Sequence, residues 1–202
     1  KTTKTTKTIH GIEKQTTKET ADQIQQGIAK EILRFHVLAN SDSEEDQKLK
    51  LEVKDRLVDY MKDILDGAED VKETKKRITE NRETICLVAE QEIQKQGYTY
   101  PVSVNLEKCY FPMKTYGDCT FPAGTYEALR VCIGKAKGRN WWCVLYPGLC
   151  FADSVNVIVP DEKKQELKNI LTEEEYESLF DWREDDYQIR SGFLRLWRKL
   201  FA

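Results

Sequence analysis

At 202 residues, with 40% hydrophobic and 33% charged side chains, the chain has material for one core and a well-solvated surface. A formal net charge of −3 gives no global pull toward nucleic acid. No apolar run approaches the roughly 18 residues a membrane-spanning helix needs. The start lacks both Met and a signal-like stretch, as expected of a trimmed or mature form. Six cysteines accompany only two histidines, and no Cys-x-x-Cys pair occurs. No metal or cofactor site is therefore expected. The cysteines read either as buried thiols or as disulfide partners in an oxidising compartment.

Residues 1–30 open on the low-complexity run Lys-Thr-Thr-Lys-Thr-Thr-Lys. They read as a flexible linker or a marginal helix, with Ile24, Ile28 and Ile32 at helical spacing. Residues 31–160 read as one α+β domain, and 161–202 as a helical extension. From Ile32 to Asn40 the pattern alternates. Leu33, Phe35 and Val37 share one face of a strand, and Arg34, His36 and Leu38 share the other. Asn40-Ser41-Asp42-Ser43 supplies a turn and a helix cap, with acids in the first turn. The helix predicted next runs to about Leu65, with Leu49, Val53, Leu57, Tyr60 and Ile64 on one stripe. A second runs from about Glu69 to Lys95, its stripe including Ile78, Ile85 and Ile93.

Val102, Val104 and Leu106 mark another strand. Two further strands are predicted at Glu127–Ile133 and Trp141–Tyr146, joined by the polar loop Gly134–Asn140. Ser154–Val159 suggests a short last strand. Strand, two helices, then several strands predict a mostly antiparallel sheet with two long antiparallel helices on one face. Ile189–Phe201 predicts a C-terminal amphipathic helix, its Trp197 and basic side suited to a membrane surface or its apolar side to the domain.

Chemistry is sparse. No Gly-x-Ser-x-Gly, His-Glu-x-x-His or phosphate-loop pattern occurs. His36 with Asp42, Asp118 or a cysteine is the one nucleophilic arrangement to test; Arg34 and His36 as structural hydrogen-bonders is the plainer reading. Tyr116-Gly117-Asp118 reads as an exposed turn. Trp141 and Trp142 fall on opposite faces, one expected in the core and the other as an exposed anchor. Cys143 and Cys150, separated by six residues that include Pro147-Gly148, are an expected disulfide.

Tyr116-Gly117-Asp118, Phe121-Pro122-Ala123-Gly124, Tyr126-Glu127-Ala128-Leu129-Arg130, Asn140-Trp141-Trp142-Cys143-Val144-Leu145 and Arg34-Phe35-His36-Val37-Leu38-Ala39-Asn40-Ser41-Asp42 together resemble stage II sporulation protein R, over roughly 32 to 153. The resemblance implies a protein of endospore-forming bacteria, made in the forespore and exported to the space between forespore and mother cell. It implies a partner there: the membrane-embedded aspartic protease that processes pro-sigma-E. The missing catalytic constellation and the two histidines lead to the expectation that the chain is not an enzyme, and neither nucleic acid nor a small-molecule substrate is expected. The resemblance assigns no contact residues; the residue types nominate Tyr116, Asp118, Arg139, Trp141 and Trp142, with Arg34, His36 and Asp42 as the second segment. The rival expectations are a cell-envelope hydrolase and a module that binds an envelope ligand.

Overall fold

The computed structural model describes residues 20–147 and 158–181. A helix, α1, covers 20–31. It leads into β1 (Leu33–Leu38), followed by α2 (Glu44–Leu65), α3 (Val71–Glu80) and α4 (Arg82–Lys95). Then come β2 (Val102–Phe111), the short pair β3 (Lys114–Tyr116) and β4 (Cys119–Phe121), β5 (Gly124–Ile133) and β6 (Asn140–Tyr146). Helices α5 (Asp161–Ile170) and α6 (Glu173–Asp181) complete the described chain. The fold is α+β.

The main sheet has the order β2-β5-β1-β6. β2–β5 and β1–β6 are antiparallel, while β1 runs parallel to β5. A parallel pair needs a long crossover, and α2 to α4 with β2 supply it. β1 is thus an interior strand, and all six of its residues are buried.

Helix α2 begins where the sequence predicts. Ser43 is its N-cap, accepting the Asp46 N–H at 3.2 Å, and Glu44, Glu45 and Asp46 sit against the positive end of the dipole. Its buried stripe is Leu49, Val53, Leu57, Met61 and Leu65. The single helix expected over 69–95 is two. Asn81 breaks it: its backbone leaves helical geometry at φ −100°, ψ 8°, and its side chain donates to Arg77 O at 2.8 Å. A side-chain amide that binds the preceding turn competes with the helix ladder.

Both faces of the sheet are covered. On the first face Leu33, Phe35 and Val37 of β1, Leu129, Val131 and Ile133 of β5, and Cys143 and Leu145 of β6 pack under α2, α3 and α4. On the second, Ala128, Tyr126, Phe111 and Val144 pack under Ile28 and Ile32 from the α1 segment, Leu167, Leu171 and Leu179 from the α5–α6 segment, and the β3–β4 hairpin. The boundaries expected at 30 and 160 therefore do not separate packing units, because apolar side chains from both sides of each share this second core. The strand expected at 154–159 lies mostly outside the described residues, and Ile158 and Val159 are not strand. The C-terminal helix expected at 189–201 also lies outside them.

Candidate functional site

The eight nominated residues divide into two groups. Asp42, Arg139 and Trp141 belong to the first. Asp42 Oδ1 accepts the Arg139 N–H at 2.7 Å, and the Arg139 Nε lies 3.6 Å from the same oxygen. Asn40 beside it accepts from the Lys135 N–H at 3.0 Å and donates to Asp46 at 2.8 Å. Lys50 Nζ reaches Arg139 O at 3.2 Å. The β5–β6 loop is thus laced to the β1–α2 turn. A Cβ on Gly138 would meet Ser41 O at 2.0 Å, so this approach requires glycine. Burial acts to raise the Asp46 carboxyl, but hydrogen bonds from Ser41 and Asn40 hold it below the ordinary carboxylate range. Trp141 leans on the first core, edge-on to Phe35 at 5.6 Å, with Lys54 Nζ 5.1 Å from its ring centre.

The second group is Arg34, His36, Tyr116, Asp118 and Trp142, on the second face. Arg34 is 0% exposed. Its guanidinium carbon lies 4.6 Å from the ring centre of Phe111, 5.2 Å from Phe121 and Tyr126, and 5.7 Å from Tyr116. One nitrogen donates to Tyr116 Oη at 3.2 Å. Nε and Nη1 have no hydrogen-bond partner among the described residues. His36 is 4% exposed, stacked on Trp142 at 5.0 Å with the rings 15° apart, and neither of its nitrogens is hydrogen-bonded. Burial, reinforced by Arg130, lowers the imidazole to about 4, so it is neutral at pH 7. The structural hydrogen bonds expected of this pair reduce to the one from Arg34.

Seven polar or charged residues are buried among those described: Arg34, His36, Asp46, Lys50, Thr74, Glu92 and Thr120. The last five all have hydrogen-bond partners. Burial of a charge is costly unless it is paired, and the aromatic rings offset only part of that for Arg34, about 0.5–2 kcal/mol for each good cation–π contact.

Tyr116-Gly117-Asp118 closes the β3–β4 hairpin, with Gly117 at φ +57°. Gly117 and Asp118 are exposed, as the sequence suggests, but the Asp118 carboxylate is engaged. Asp118 Oδ1 accepts the Val159 N–H at 2.9 Å, and Oδ2 accepts from Lys164 Nζ at 2.6 Å. Burial acts to raise the Asp118 carboxyl, but Lys164 and the Val159 N–H hold it below the ordinary range. The turn is a clasp for α5.

The two tryptophans do lie on opposite faces. Neither is the fully buried core residue or the open anchor expected: both are half-buried, each against one core. Cys143 is a buried free thiol on the first face, its Sγ 3.3 Å from Val144 O; Cys150 lies outside the described residues. Burial raises the thiols of Cys109 to about 11 and Cys119 to about 12, which keeps them protonated and unreactive at neutral pH.

The nucleophilic arrangement expected around His36 does not assemble. His36 is covered by Trp142 and Phe111, Asp42 serves the loop and Asp118 serves α5. A cleft of about 690 Å³ opens between the α2–α3 turn, the end of β6 and α5, rimmed by Lys62, Asp66, Glu69, Lys163 and Glu166, and no nominated residue lines it. What sequence reasoning missed is the aromatic cage. Phe121 and Tyr126 each sit in a motif it singled out, but nothing in those motifs joins them to Arg34.

Comparison with known proteins follows the same motifs. The family model described as stage II sporulation protein R matches residues 29–156. Stage II sporulation protein R of Bacillus subtilis (strain 168) is 33% identical over 174 residues, covering 84% of this chain and 76% of that protein. No solved structure matches. The chain belongs to the stage II sporulation protein R family, and its role lies in sporulation.

Proposed function

We propose that this protein is a non-enzymatic signalling ligand of sporulation. It acts between forespore and mother cell and activates the membrane-embedded aspartic protease that processes pro-sigma-E. Its contact surface is the second face of the sheet, around Trp142, His36 and Arg34. The observation that carries this reading is the collection of five nominated residues on that face, among them a buried cation with no carboxylate partner among the described residues. A hydrolase is the weaker reading, because His36 sits under two aromatic rings with both nitrogens unpaired.

A ligand activates an enzyme only by binding its active form more tightly, at about 1.4 kcal/mol for each tenfold shift. Adding the purified chain to membranes that hold the protease and its pro-sigma substrate tests the proposal. Processing is expected to rise at least tenfold. Processing equal to that with buffer overturns it.

A further inference from the structure

We infer that α5 and α6 cover a docking surface, and that the occupant is a polypeptide segment that places a carboxylate against Arg34 once these helices lift. The inference rests on the activating-ligand reading above and adds to it where the partner binds and what chemistry it brings.

Two independent observations converge here. The first is the cation itself. Arg34 is fully buried in an aromatic cage, with Nε and Nη1 unpaired, while every other buried charged side chain among those described has a polar partner. Guanidinium is always charged and presents donors only, so what this site lacks is an acceptor, and an anionic one above all. Helices α5 and α6 are acid-rich, with Glu162, Glu166, Glu173, Glu174, Glu175 and Glu177, yet among the described residues the Arg34 side chain hydrogen-bonds to Tyr116 alone. These helices pack through Leu167, Leu171 and Leu179 in the same apolar cluster as Phe111, Phe121 and Tyr126, three of the rings around the cation.

The second observation is how the cover is held. Its polar attachment to the hairpin is concentrated at Asp118, which takes the Val159 N–H and the Lys164 ammonium. Gly117 allows the close approach: an added Cβ would lie 3.0 Å from Val159 N. Leu167, Leu171 and Leu179 supply the apolar contact. A segment with a similar apolar face replaces those contacts, and an acid on it also satisfies Arg34.

A staple tests this on the full chain. A Cβ placed on Gly27 lies 3.5 Å from Glu175 Cγ, so Gly27→Cys with Glu175→Cys brings two thiols within disulfide reach and ties α6 to α1. The oxidised double variant is expected to lose at least tenfold in protease activation, and reduction is expected to restore it, with the native chain taken through the same oxidation as reference. Full activity of the oxidised, cross-linked variant overturns the inference and leaves the activating-ligand reading standing. A native chain that neither binds nor activates overturns that reading, and this inference with it.

Amide hydrogen exchange gives a second readout that needs no cross-link. Adding the extracytoplasmic part of the protease is expected to speed exchange in α5 and α6 at least tenfold; unchanged protection overturns the lifting step. Arg34→Met tests the carboxylate. It keeps an unbranched apolar stem among the rings and removes the charge, so the fold is expected to persist while binding of the same protease fragment weakens at least tenfold. Native affinity in that variant overturns the assignment of a carboxylate to the site.

Discussion

The two faces of the sheet are built from the same strands by the same alternation, yet they bury different chemistry. Under α2, α3 and α4, Phe35, Val37 and Leu129 pack against Leu57 of α2 and Ile85 of α4, and the buried charges of those helices, Asp46, Lys50 and Glu92, are each hydrogen-bonded. Under α1, α5 and α6 lie Arg34 and His36, packed in aromatic rings. One residue of offset along β1 separates the two environments. Apolar burial is what makes a domain stable; a buried, incompletely paired cation detracts from stability and is a signature of a site. On the function proposed above, the first face is the scaffold and the second is the working face.

Perturbing each face should show this, and the largest effect belongs to the scaffold. Phe35→Ala removes a fully buried ring that also supports Trp141. It should lower unfolding stability by about 3–5 kcal/mol in a urea titration. A loss below about 1 kcal/mol would mean that the first core is not the main source of stability.

Acid should act next, and through the second face. The His36 imidazole is lowered from 6.5 to about 4 in the folded chain. The folded state thus favours the neutral ring. Its contribution is fully present above pH 6.5 and is lost as pH falls from there through about 4, for a total of roughly 3 kcal/mol. Urea midpoints at pH 7.5 and pH 4, compared between the native chain and His36→Phe, isolate that share. The native chain should lose more stability than the variant, and equal losses would place His36 in a solvated site.

A smaller effect is expected at the clasp. Asp118→Asn weakens the bonds to Val159 and Lys164, and the pair with Lys164 is partly exposed. A loss of about 1–2 kcal/mol in local protection of α5 is the expected outcome, read by hydrogen exchange. The smallest effect belongs to Arg139→Ala. Its guanidinium is exposed at 74% and only loosely paired with Asp42, and the backbone bond to Asp42 survives the change, so stability should move by less than about 0.5 kcal/mol.

Much of the scaffold was legible in the sequence, and much of the working face was not. The alternation of Leu33 to Leu38 named both sides of β1 correctly, because a two-residue period is local. Ser43 and the acids after it located the start of α2 for the same reason. The break at Asn81 was hidden, since the apolar stripe runs through it and only the amide's bond to Arg77 reveals the competition. The parallel pairing of β1 with β5 joins residues more than ninety positions apart, such as Arg34 and Ala128, and no local pattern carries it. Tyr116-Gly117-Asp118 is a turn, as read. What the turn does depends on Val159 and Lys164, whose approach no spacing rule predicts. The cage around Arg34 is drawn from β1, β2, β3, β4 and β5 at once, so it exists only in the folded chain.

The adjacent tryptophans offer the most direct test of one working face. Trp141 and Trp142 are chemically identical neighbours, each half-buried, each beneath a lysine, on opposite sides of one strand. Replacing either by alanine should cost stability by a similar amount, about 2–3 kcal/mol. Protease activation per folded molecule, measured for both variants in the same membranes, should fall at least tenfold for Trp142→Ala and stay near native for Trp141→Ala. Equal activation by the two variants, or a loss confined to Trp141→Ala, would contradict the account.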